Sequence, residues 1–276
     1  MSEVVAKTEQ YYDSRDADEF YYQVWGGEDI HIGMYHRREE SIFEASRRTV
    51  ERMSARLEDY VAGSTVVDIG SGYGGAARYL AREKGYRVHC LNLSRVQNTR
   101  NRQMNDEQTL SVLIDVVDGN FEDMPFNDGL ADIVWSQDAI LHSGDRFQVF
   151  REVDRILKPG GRFVFTDPMQ KGGVGRDALQ PVLDRIHLDT MGSVEDYDSY
   201  AEKLGWEKTG FDDHSDQLPI HYQAVLSNLE QREQELADMI NAEYITSMKR
   251  GLRHWIDAGN AGLLTWGILA YQKGRG

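Results

Sequence analysis

The sequence predicts an α/β fold: a doubly wound, mostly parallel seven-stranded sheet with an N-terminal aromatic lid and a helical cap inserted in the C-terminal part. Three observations predict it. The run Thr65-Val66-Val67-Asp68-Ile69, rich in stiff strand-favouring residues, collides with a glycine cluster, Gly70-Ser71-Gly72-Tyr73-Gly74-Gly75. Beyond it, short apolar runs alternate with helical stretches as far as Thr166, the mark of parallel strands joined by helical crossovers. With 276 residues, 40% of them hydrophobic, the chain can bury one substantial core, as one domain with a large insertion or as two small lobes.

The elements follow in order. Residues 1–38 carry Tyr11, Tyr12, Phe20, Tyr21, Tyr22, Trp25 and Tyr35. Their roughly helical spacing predicts a helix packing its aromatic face on the core, and Gly26 and Gly27 break it into a flap able to close over a ligand. Residues 41–60 read as an amphipathic helix with Ile42, Ala45, Val50, Met53 and Leu57 on one side. After the glycine loop come a helix (76–84), a strand (87–93), a helix capped by Ser94 and ending near Gln108, and a strand (112–117). A fourth strand spans 131–138, a helix 146–157 and a fifth strand 162–166. Past Asp167 the expected elements are helices at 177–188 and 194–204, a strand at 206–211, one or two long polar helices over 217–253, and a last strand at 262–272. The chain thus divides into a lid (1–38), a nucleotide-type binding core (39–170) and substrate cap helices plus final strands (171–276).

Bulk charge excludes some functions. Against 31 Lys+Arg stand 46 Asp+Glu, a formal net charge of -15, so no nucleic-acid partner is expected. The acidity fits either a well-solvated surface or adaptation to high salt. Cys90 is the only cysteine, which rules out an intrachain disulfide and suits a reducing compartment. The N-terminus lacks a signal-peptide pattern and no stretch approaches the ~20 apolar residues of a membrane span, so a cytoplasmic protein is expected. The eight histidines show no metal-ligand spacing.

The loop carries the chemistry. Gly70, Gly72 and Gly75 meet the G-x-G-x-x-G spacing of dinucleotide sites. Asp68, two residues earlier, suits a cofactor with a cationic or amine group better than a pyrophosphate. The place where an acid would hold ribose hydroxyls falls to Asn92, with Leu93 beside it, which counts further against NAD. Gln97 is either a second ribose contact or a solvated helix residue. An acid and an aromatic at the third strand's end, in Asp118-Gly119-Asn120-Phe121, can meet an adenine amino group and cover the ring. Gln137 and Asp138 occupy the tip of strand four, and Trp25 is the lid's large aromatic.

The loop, the 118–126 segment and Leu157-Lys158-Pro159-Gly160-Gly161 together resemble a class I S-adenosylmethionine-dependent methyltransferase with a Rossmann-like core. Residues 21–33 (Tyr-Tyr-Gln-Val-Trp-Gly-Gly-Glu-Asp-Ile-His-Ile-Gly), 90–94, 135–143 and 165–170 are similar to the sarcosine/dimethylglycine N-methyltransferases of glycine betaine synthesis. The resemblance implies methyl transfer to a small amine, with S-adenosylhomocysteine as co-product. It gives the acidic composition a salt-stress setting. A phosphoethanolamine or other phosphobase, small-molecule or lipid methyltransferase of the same fold is the alternative; the basic residues or apolar mouth it would need do not stand out.

A protonated amine must lose its proton before methylation, and His142 is the candidate acceptor, with Asp138 one helical turn earlier orienting it or holding the incoming ammonium; alone, the two also fit a helix cap. The quaternary ammonium product is suited to aromatic walls, for which Tyr22, Trp25 and Tyr222 are candidates. Its carboxylate needs a cation or donor pair, and Arg185, with Arg176 and His187, lies in the insertion. Pro168, Met169 and Gln170 are expected to flank the reacting nitrogen. A monomer or a homodimer is expected.

Overall fold

The computed structural model describes residues 9–186 and 188–275. Among the described residues, nine strands run β1 Thr65–Ile69, β2 Arg87–Asn92, β3 Ile114–Asp118, β4 Ala131–Gln137, β5 Leu157–Thr166, β6 Met169–Gln170, β7 Glu207–Asp213, β8 Leu264–Thr265 and β9 Gly267–Gln272. Seven form the main sheet in the order β3-β2-β1-β4-β5-β9-β7. The first five are parallel, and β9 runs antiparallel to both neighbours. The chain moves outward from β1 to β3 and then returns to lay β4 against β1. That reversal opens a crevice beyond the carboxyl ends of β1 and β4, where a doubly wound sheet binds ligands.

Period-two alternation supplies two cores. Val66, Val88, Ile133, Trp135 and Val164 face one layer, shared with the N-terminal segment and the cap helices. Val67, Ile69, Leu91, Val134, Phe163 and Phe165 face the other, packed on the helices Arg146–Ile156 and Val194–Lys203. Burial on both sides is why these strands read as nearly continuous apolar runs.

Ser94 accepts from the Gln97 N–H at the head of the helix Arg95–Glu107. Ser41 and Glu44 form a reciprocal capping box that starts the helix Ile42–Ser54. Several limits differ from expectation. The third strand starts at Ile114 rather than Val112, because the left-handed Thr109 (φ 57°) opens a turn that leaves Val112 exposed. The polar stretch 217–253 breaks into the helices Gln217–Gln231 and Glu233–Leu236 and the start of Ala242–Asn260. The last strand divides at Trp266, with β8 pairing β6 instead of the main sheet.

The aromatic segment forms a short helix, Arg15–Phe20, continued by a π-helix, Tyr21–Gly26. It leads into a strap, residues 28–35, laid across the crevice. Hydroxyls of Ser46 and Thr49 donate to the carbonyls of His31 and Ile32 at 2.9 Å each, and Tyr35 N–H reaches Gln217 Oε1 at 2.6 Å. In place of a loose flap, the strap is held by backbone hydrogen bonds from His31 to Tyr35.

Candidate active site

The loop after β1 has the backbone that its glycines permit: Gly70 and Gly72 lie at φ 77° and 53°, where other residues are strained. Space excludes side chains as well. A Cβ on Gly70 would stand 2.3 Å from Ala139 Cβ in the loop after β4, and one on Gly72 would meet the strap residue Ile30 at 3.1 Å. One on Gly75 would lie 2.1 Å from Asp29 Oδ1. The loop is therefore closed in by both β4 and the strap.

Two adjoining cavities lie there. The first is lined by Tyr12, Tyr21, Asn92, Leu93, Gln97, Gly119, Asn120, Phe121 and His142; the second by Glu28, Asp29, His31, Asp68, Ser71, Gly75 and Ala76. Ile30, Gly70 and Gln137 belong to both. In the first, Asn92 Nδ2 donates to Gln97 Oε1 at 3.0 Å, so the two amides hold each other in place. In the second, burial pushes the Asp68 carboxyl up to about 7, with His31 opposing and Asp29 adding to the rise.

Polar atoms aimed inward test whether S-adenosylmethionine fits. Gln97 Nε2, Gln137 Nε2 and Ser71 Oγ are buried without a hydrogen-bond partner among the described residues. Buried polar groups are rarely left so. Paired amides at one end and a buried carboxylate at the other suit a ribose and an ammonium tail, and the glycines leave room for backbone approach.

His142 ends a 3₁₀ turn, Ile140–His142, rather than standing on an α-helix. Its Nε2 lies 3.0 Å from the Tyr12 hydroxyl, with the rings edge to face. Asp167 fixes that turn: Oδ1 accepts from Leu141 N–H at 2.9 Å and Oδ2 from the Tyr197 hydroxyl at 2.5 Å. Burial pushes its carboxyl up to about 7.

Several expected positions need correction. Asp138, with φ 52°, lines the first cavity but does not orient His142; its carboxylate accepts from Ile32 N–H (2.7 Å) and Trp266 Nε1–H (2.8 Å), tying the strap to the sheet. Asp118 turns outward to Asn98 Nδ2 (2.7 Å) and Arg102 Nη2 (3.1 Å), because alternation sends it toward the helix Arg95–Glu107. The Arg100 guanidinium covers one face of the Tyr22 ring, 4.2 Å from its centroid, and Tyr22 lines neither cavity. Trp25 is buried below the first cavity against Tyr21, His221 and Tyr222 instead of lining it. Tyr222 also stacks on Trp255 at 5.0 Å. Pro168 and Met169 are buried, the latter in the second core, and Met169 and Gln170 pair with Thr265 and Leu264. None of the three lines either cavity. Arg176 pairs with Asp189 on the surface at 2.9 Å. His187 and the Arg185 side chain lie outside the described residues.

Comparison with known proteins gives this crevice its setting. A family model described as a methyltransferase domain matches residues 67–165. The chain is 53% identical to a sarcosine/dimethylglycine N-methyltransferase of Halorhodospira halochloris, over 99% of this chain and 98% of that protein. It is 52% identical to one of Aphanothece halophytica, over 99% of both. The chain belongs to the sarcosine/dimethylglycine N-methyltransferase family. A solved Galdieria sulphuraria protein assigned to the same activity superposes with a TM-score of 0.91 at 43% identity, covering 96% of this chain and all of that one. Within this family frame, sequence reasoning missed Tyr12, Tyr21 and Ile30 as cavity residues. No periodicity separates them from packing aromatics, and Tyr12 lies 130 positions from His142.

Proposed function

We propose that the protein transfers methyl groups from S-adenosylmethionine to the nitrogen of sarcosine and dimethylglycine, giving glycine betaine. The observation that carries this reading is the full-length match, 53% identical, to an enzyme of that name. When bound, S-adenosylmethionine supplies an electrophilic methyl group. The chain's own residues bind and align. Asn92 and Gln97 hold the ribose hydroxyls, Asn120 and Phe121 the adenine, and Asp68 the ammonium tail, with Ser71 and Gln137 adding donors. The strap closes the far side, and exclusion of water strengthens each of these contacts.

The amine arrives protonated. His142, with the Tyr12 hydroxyl at its Nε2, takes the proton directly or across that hydroxyl and frees the lone pair for an in-line displacement. The reading supports action in the cytoplasm, where the free, buried Cys90 would stay reduced.

Mass spectrometry tests the reading. Incubation with S-adenosylmethionine and dimethylglycine should yield glycine betaine and S-adenosylhomocysteine in equal amounts. Absence of betaine from folded, cofactor-binding enzyme would refute it.

A further inference from the structure

His221 is fully buried, and its protonation is fixed by its surroundings. Gly33 N–H donates to Nδ1 at 3.1 Å, and the Tyr35 hydroxyl lies 3.1 Å from the same atom. Nδ1 is thus an acceptor, and the neutral ring carries its hydrogen on Nε2. Burial, reinforced by nearby His31, pushes the pKa down to about 3, so the ring stays neutral. Nε2–H nevertheless has no hydrogen-bond partner among the described residues, and neither has the indole N–H of Trp25, whose ring lies 5.4 Å from the imidazole.

Two buried orphan donors on adjacent rings are a costly arrangement unless an acceptor joins them. They sit one step from the chemistry. Trp25 packs at 5.2 Å on Tyr21, which lines the first cavity, and the strap residue beside Gly33 is held by Asp138. We propose that His221 Nε2–H and Trp25 Nε1–H bind the carboxylate of the methyl acceptor and select amino acids over amines that lack one. This rests on the functional reading above. Each neutral N–H can donate to one carboxylate oxygen, and such charge-assisted hydrogen bonds offset part of the cost of burying the anion.

The test uses His221→Asn, which keeps an acceptor for Gly33 while deleting the Nε2 donor, and Trp25→Phe, which keeps a ring. Calorimetry on enzyme saturated with S-adenosylhomocysteine should show dimethylglycine binding weakened about ten- to hundredfold in each, the factor expected for a lost hydrogen bond to a charged group. Binding of N,N-dimethylethanolamine, which has no carboxylate, should change by less than about twofold on the same scale, and S-adenosylhomocysteine affinity should be retained. If His221→Asn does not fold, Trp25→Phe alone decides. Folded variants that bind dimethylglycine as well as the parent overturn the proposal. A parent that binds neither sarcosine nor dimethylglycine overturns the functional reading and this proposal with it.

Discussion

His142 and the Tyr12 hydroxyl at its Nε2 bear most directly on turnover. His142→Ala is expected to lower kcat about 10²-fold or more, the usual contribution of a general base, with S-adenosylhomocysteine affinity nearly unchanged. Tyr12→Phe should lower kcat in the same direction, and equal turnover in both variants would assign the pair to packing. Asp138 makes a different claim. Asn tolerates its left-handed backbone, so Asp138→Asn isolates the loss of a carboxylate that accepts from both Ile32 N–H and Trp266 Nε1–H. Thermal unfolding should report a loss of about 1–3 kcal/mol. For Asp68, the sign follows from a carboxyl lifted to about 7 in the empty site. An arriving ammonium requires the ionised form, so affinity should be about tenfold higher at pH 8 than at pH 6, with a proton released on binding near pH 6. Calorimetry in buffers of different ionisation enthalpy checks this. A carboxyl raised this way favours the folded empty protein below the unfolded value near 4, and that contribution disappears as pH rises through 7.

At the scale of elements, the glycine loop and the strap act as one unit. Gly75 has no room for a methyl group, since its Cβ would strike Asp29 and the Glu28 carbonyl at 2.6 Å. Gly75→Ala should displace the strap and weaken S-adenosylhomocysteine binding at least tenfold, measured by calorimetry, while the sheet's two cores keep the chain folded. What was legible here follows from topology. Asn92, Leu93, Gln97, Asn120, Phe121 and Gln137 reach the cavities because strand ends in a doubly wound sheet converge on the reversal between β1 and β4. Asp118 escaped because a single residue of alternation decides which way a strand-end side chain points. Trp266 and His221 escaped because their contacts with Asp138 and Gly33 join positions 128 and 188 residues apart. No local pattern encodes such pairings, and aromatic spacing in residues 11–25 cannot tell a cavity wall such as Tyr21 from a ring clamped by arginine such as Tyr22.

For the whole molecule, a formal charge of -15 means self-repulsion that salt relieves. The melting temperature should rise between low salt and about 1 M NaCl, where screening shortens to ~3 Å; a flat or falling curve would leave the acidity as ordinary solvation. The seven-stranded sheet was readable because each strand is short, apolar and bounded by turn residues, whereas the split of the last strand at Trp266 depends on β6 finding β8 across the cap. On the functional reading, this crevice methylates the nitrogen of small N-methylated amino acids. Separate kcat/KM values for glycine, sarcosine, dimethylglycine and phosphoethanolamine, with labelled S-adenosylmethionine as donor, test it most directly. Each buried methyl is worth about 0.8 kcal/mol, roughly fourfold. Sarcosine and dimethylglycine should therefore be the preferred substrates, in a graded series with glycine about an order of magnitude behind dimethylglycine. Glycine used as well as dimethylglycine, or phosphoethanolamine as the best acceptor, would overturn that reading.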